Sequence, residues 1–92
     1  MRHRILLWHA AAILTTLLES EQAGIEITIS ELIQKTGISP SLFHTSLKKK
    51  FIDSGLIELK RNPDRTITVR LTDKGRKLAE CLLPCRDLIL DG

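Results

Sequence analysis

The sequence predicts a mainly α, α+β fold in which short helices surround a two-stranded hairpin. Apolar residues recur at helical spacing toward both ends, and two short segments past the middle alternate with period two. Caps and turn formers stand at nearly every junction between them. At 92 residues the chain holds one domain and not two.

Residues 3–22 read as a helix stopped at Gly24. Leu6, Ala10, Ile13, Leu14 and Leu17 share one face, and Ile5, Trp8 and Ala12 fall on the opposite one. A helix apolar on two sides needs two partners. In so small a chain the second is expected to be another subunit. Residues 25–28 alternate and are rich in isoleucine, which predicts a short strand. Thr28 precedes Glu31 by three positions, the spacing of a capping box. The helix it opens carries Ile29, Leu32 and Ile33 inward and stops at Gly37. Ser39 supplies a cap and Pro40 suits a first helical turn, so another helix runs from there to about Ser54 and ends at Gly55. Two short helices joined by Thr36-Gly37-Ile38-Ser39 form a helix-turn-helix, with Ile38 plugging the corner.

Residues 56–60 and 66–71 alternate, and Asn62-Pro63-Asp64-Arg65 between them reverses the chain as a hairpin. Thr72 caps a last helix whose stripe is Leu78, Leu82, Cys85 and Ile89, with Pro84 expected to kink or end it.

Charge is sorted along the chain. Residues 35–77 carry eleven basic groups against four acidic ones, a net of +7, while the segments before and after are each −2. A basic middle between acidic ends points to a polyanionic partner. Aromatic residues make up only 3%, which argues against a platform for stacking single-stranded bases. Two cysteines are too few for a disulfide scaffold or a zinc site. His3, His9 and His44 lack metal-ligand spacing, and His9 is expected to be a hydrogen-bonded core or interface residue. With no phosphate loop, no nucleophile beside a base and no facing carboxylates, no enzyme activity and no cofactor are expected. Arg2 and Arg4 followed by apolar residues mimic a leader, but no cleavage site follows. The apolar run is shorter than the ~20 residues that cross a bilayer. A cytoplasmic protein without membrane contact is expected, in the host cytoplasm if the source is viral.

The order of elements, with Thr28-Ile29-Ser30-Glu31-Leu32, Thr36-Gly37-Ile38-Ser39-Pro40-Ser41, Ser54-Gly55-Leu56-Ile57-Glu58 and Leu71-Thr72-Asp73-Lys74-Gly75-Arg76, resembles small winged helix-turn-helix regulators of the MarR and PadR type. The compact versions of archaea and their viruses are the nearest in kind. The span from Pro40 to Gly55 is one residue longer than that pattern. The resemblance implies a helix-turn-helix over 28–55, a wing over 56–71, and dimer-forming helices over 1–24 and 72–92. It also implies a homodimeric regulator of transcription reading a pseudo-palindromic operator in double-stranded DNA, with no small-molecule ligand evident. The rival is a winged helix used as a protein-interaction module for an acidic partner.

On the second helix of the pair, Phe43, Leu47 and Phe51 form the buried face. Ser41, Thr45, Lys48 and Lys49 point away, with His44 on the flank and Ile52 outward without an assigned role. Thr45 and His44 are placed to read bases, and Lys48 and Lys49 to hold phosphates. Lys60, Arg61 and Arg65 surround the hairpin tip, where an arginine suits a narrow minor groove. The expected dimer interface is Ile5, Trp8, Ala12, Leu78, Leu82, Cys85 and Ile89. Cys81 and Cys85 are expected as buried or half-buried free thiols, the alternative being a disulfide between subunits.

Overall fold

The computed structural model describes residues 2–91, with side chains from Leu7 to Asp91. Helix α1 (Arg2–Gln22) leads into strand β1 (Ile27–Thr28) and helix α2 (Ile29–Thr36). A second helical stretch follows in three parts: α3 (Pro40–Leu42), a π turn (Phe43–Leu47) and α4 (Lys48–Asp53). Strands β2 (Ile57–Arg61) and β3 (Ile67–Leu71) form the hairpin, and α5 (Asp73–Leu82), a 3₁₀ turn (Leu83–Cys85) and α6 (Arg86–Asp91) close the chain.

Local chemistry sets these boundaries. The Thr28 side chain accepts the Glu31 amide while the Glu31 carboxylate accepts the Thr28 amide at 3.0 Å, completing the expected capping box. These bonds hold the Glu31 carboxyl below its ordinary pKa. Gly37 ends α2 at φ 71°, a left-handed position that any side chain would strain. Ser39 caps α3 with Pro40 in its first turn, and Thr72 caps α5 by accepting the Gly75 amide at 3.0 Å.

The sheet has three antiparallel strands in the order β1-β3-β2, so the hairpin gains β1 as a third member. Val69 lies between Ile27 and Leu59 as one apolar rung. That rung faces Ile13, Leu14, Leu17 and Leu18 of α1, together with Leu32, Ile38, Phe43, Leu47 and Phe51. Ile38 does plug the corner of the helix pair, 5% exposed.

The second face of α1 departs from expectation. Ala12 is 5% exposed and Ala11 fully buried, because α5 and α6 fold back over this face. Trp8 is half-buried, and its indole N–H donates to the Leu90 carbonyl at 3.3 Å. The chain therefore covers with its own C-terminal helices much of what was expected to need another subunit. Ile5 lies outside the described side chains. His9 packs edge-to-face on Trp8, with ring centroids 5.4 Å apart, and makes no hydrogen bond among the described residues. Its partial burial lowers its pKa.

The last helix is corrected too. Gly75 and Ala79 face the core while Leu82 and Ile89 are half-buried. Leu78 is 36% exposed. Pro84 breaks the helix into a 3₁₀ turn, so the stripe does not continue in phase, and Cys81 and Cys85 are both exposed free thiols. Within the single chain neither thiol is buried, so burial of Cys85, the expected state, would have to come from a partner copy.

Candidate nucleic-acid interface

Residues 40–53 present one buried and one open side. Phe43, Leu47 and Phe51 lie at 1%, 3% and 3% exposure. Ser41, His44, Thr45 and Lys49 are exposed and Lys48 is half-buried. An ordinary helix advances about 100° per residue, so each four-residue step overshoots a full turn by about 40°. The π turn, closed by the Lys48 amide on the Phe43 carbonyl, turns less per residue and takes back part of that drift.

Two side chains on this face are held in place. The Thr45 hydroxyl donates to the Ser41 carbonyl at 2.7 Å, so its oxygen is left as an acceptor. The His44 ring stands edge-on to the Phe43 ring, with centroids 5.7 Å apart at 89°.

The hairpin tip is a three-residue turn. The Asn62 amide donates to Thr66 at 2.9 Å and the Arg65 amide to Asn62 at 3.0 Å. Asp64 accepts the Thr66 amide and hydroxyl at 3.1 and 2.6 Å, which holds its carboxyl below its ordinary pKa. Asn62 also donates to the Thr68 hydroxyl at 2.7 Å. Lys60, Arg61 and Arg65 are exposed around this braced tip.

Arg65 sits at φ 73°, the position that glycine commonly fills in such turns. A side chain there costs of order 1 kcal/mol. Arg65→Gly is expected to raise stability by about 0.5–1 kcal/mol, less whatever the freer unfolded chain takes back. Urea unfolding measures this, and a clear loss of stability would contradict it.

The basic segment divides into spent and free charges. Arg76 pairs with Glu21 at 2.5 Å and with Asp73 at 2.9 Å, which pushes its pKa up. Arg70 pairs with Glu26 at 3.3 Å, and the Lys74 ammonium donates to the Ser54 carbonyl at 2.8 Å. Arg86, outside that segment, pairs with Glu19. Lys48, Lys49, Lys60, Arg61 and Arg65 have no salt-bridge partner among the described residues. The cations of the segment unpaired among the described residues thus include those on residues 40–53 and the hairpin, with Lys35 and Lys77 besides, while Glu21 of α1 neutralises Arg76. His44 and Arg65, far apart in sequence, are brought to one cleft with the start of α2.

Sequence reasoning missed an apolar groove of about 580 Å³ between α1, the end of α4 and α5, lined by Leu7, Ala10, Phe51, Leu56 and Leu78. It falls in the size range of small-molecule sites. Three separate elements build it, so no single periodicity announced it. No group of three or more metal-ligating side chains occurs among the described residues, and no described helix is long and apolar enough to cross a membrane.

A family model described as the ArnR1-like winged-helix domain matches residues 2–89. Among solved structures, AF1382 from Archaeoglobus fulgidus is similar at TM-score 0.73 and 30% identity, over 87% of this chain and 86% of that one. The MarR family transcriptional regulator SPO1453 from Silicibacter pomeroyi matches at TM-score 0.67 and 25% identity, over 87% of this chain and 54% of that one. A mutant of ZitR from Lactococcus lactis matches at TM-score 0.66 and 26% identity, over 89% and 53%. The chain spans about half the length of these last two. No curated protein matches it.

Proposed function

The chain belongs to the ArnR1-like winged-helix domain family, and from that premise we propose that it is a sequence-specific double-stranded DNA-binding regulator of transcription, acting in the cytoplasm. The observation that carries this reading is the set of exposed hydroxyls and unpaired cations on residues 40–53 and the hairpin, two elements that meet at the cleft of His44 and Arg65. Hydroxyls suit base edges in a major groove, and ammonium groups suit phosphates. Thr45 presents an acceptor, so it favours the amino groups of adenine or cytosine.

Thr45→Val is expected to relax preference for the selected operator by about 1–3 kcal/mol at one base pair, leaving affinity for random duplex unchanged. Selection from random duplex followed by gel shift checks this. Equal loss on all sequences would give Thr45 a backbone role instead. The acidic-protein reading wins if the parent shows no salt-dependent binding to any duplex.

The regulator acts as a homodimer reading two half-sites roughly 34 Å apart. Support for the dimer comes from exposed leucines on helices that the rest of the chain leaves open. Leu7 is 46%, Leu78 36% and Leu88 80% exposed. These take over from Trp8 and Ala12 as the apolar surface available to a partner copy. Leu88→Glu is expected to shift sedimentation from dimer to monomer without changing the circular dichroism spectrum. A parent that sediments as a monomer at micromolar concentration would end the dimer reading. A band of doubled mass on a non-reducing gel would mark Cys81 or Cys85 as a bridge between copies.

A further inference from the structure

A cleft of about 320 Å³ opens where Thr28 and Ser30 at the start of α2 meet His44 of the π turn and Arg65 and Thr66 of the hairpin tip. We infer that it seats a single DNA phosphate, gripped by His44 from one side and Arg65 from the other. This rests on the DNA-binding reading and deepens it, since it moves His44 from reading a base to holding the backbone.

Arg65 gives the cleft an unpaired cation that can meet an anion. Arg65 has no salt-bridge partner among the described residues. The two nearby carboxylates, Glu31 and Asp64, keep their negative charge but turn oxygens onto Thr28 and Thr66 and form no ion pair with Arg65. The start of α2 contributes little, because Thr28 already accepts the Glu31 amide and Glu31 offsets the helix dipole. The seat therefore depends on the imidazole and the guanidinium. Ser30, exposed at its edge, adds a hydroxyl donor.

The His44 ring and the Arg65 backbone are set in position before any ligand arrives. The His44 ring is braced edge-on by Phe43, which is 1% exposed. The Arg65 backbone is fixed by the hydrogen-bonded turn. A guanidinium meets two phosphate oxygens at once, and an imidazole N–H can take a third contact.

Topology points the same way. With residues 40–53 in a major groove and the tip at the neighbouring minor groove, one sugar–phosphate strand separates the two. That strand has to cross between the helix and the tip, which is where the cleft lies. A phosphate projects from such a strand, whereas base edges face into the grooves.

The test is a double-mutant cycle on the full chain, with His44→Ala, Arg65→Ala and both together, read by duplex binding across a salt series. Each single variant should weaken operator and random duplex alike by about tenfold, as loss of a charge-assisted contact does. The double variant should lose clearly less than the product of the two. Its salt slope should fall by about 0.9, one phosphate and not two. A duplex carrying one methylphosphonate at the seated position should be insensitive to either substitution.

Multiplicative losses with a slope change of about 1.8 would overturn the shared seat. So would a His44→Ala variant that loses base preference. Salt-independent or absent binding by the parent would remove the DNA-binding reading itself, a result distinct from both.

Discussion

Gly75→Ala is expected to cost at least about 4 kcal/mol, the upper end of what single substitutions do and a large part of a small domain's total stability. A Cβ at this position would lie 1.9 Å from the Leu56 carbonyl oxygen and 2.8 Å from its carbon. Both are backbone atoms, so no rotamer change relieves the overlap. Relief requires α5 to move away, and that movement strips three bonds that fasten its first turn. The Thr72 amide donates to Leu56 at 3.1 Å, the Thr72 hydroxyl donates to the Gly55 carbonyl, and the Lys74 ammonium donates to the Ser54 carbonyl at 2.8 Å. Urea midpoints at unchanged m-value measure the loss. Should the variant fail to fold, Thr72→Val probes the same junction more gently, with an expected loss of about 1–2 kcal/mol for a missing cap and hydrogen bond. A Gly75→Ala chain within 1 kcal/mol of the parent would mean that α5 is not seated on Leu56.

Replacing Lys48, Lys49, Lys60 and Arg61 together by alanine is expected to have the largest effect on binding. If each neutralises one phosphate, the slope of log affinity against log salt falls by about 3.6, taking about 0.9 per contact. Between about 50 and 200 mM salt the parent then loses about a hundredfold more affinity than the variant. Thermal unfolding should hardly change, since none of the four has an ion-pair partner among the described residues. A gel-shift titration on random duplex reads the slope. A slope equal to the parent's would move these cations off the nucleic acid.

What the sequence made legible was local. The Thr28–Glu31 box, the Ser39-Pro40 start and the Phe43, Leu47, Phe51 face depend on residues within two helical turns, and the structure has them all. The π turn within residues 40–53 was not legible, because it depends on which carbonyl the Lys48 amide finds. What stayed hidden was tertiary. Trp8 and Ala12 looked unpartnered because nothing in a helical wheel says that α5 and α6 return over α1. The net charge of the basic segment also overstated the free positive surface. Arg70 and Arg76 are matched to Glu26 and Glu21, which stand 44 and 55 positions away. The convergence of His44 and Arg65 belongs to the same class, since only the packed chain brings them together.

The π turn has a consequence for how the length of this helix can drift over evolutionary time. A π turn holds one residue more than an ordinary helical turn, so its lower twist absorbs that residue locally. Removing one residue from 44–46 would restore the ordinary i→i+4 ladder and leave α3 and α4 in nearly the same phase, with the Phe43 and Phe51 rings still on the buried face. A lineage can thus gain or lose a single codon here without repacking the core.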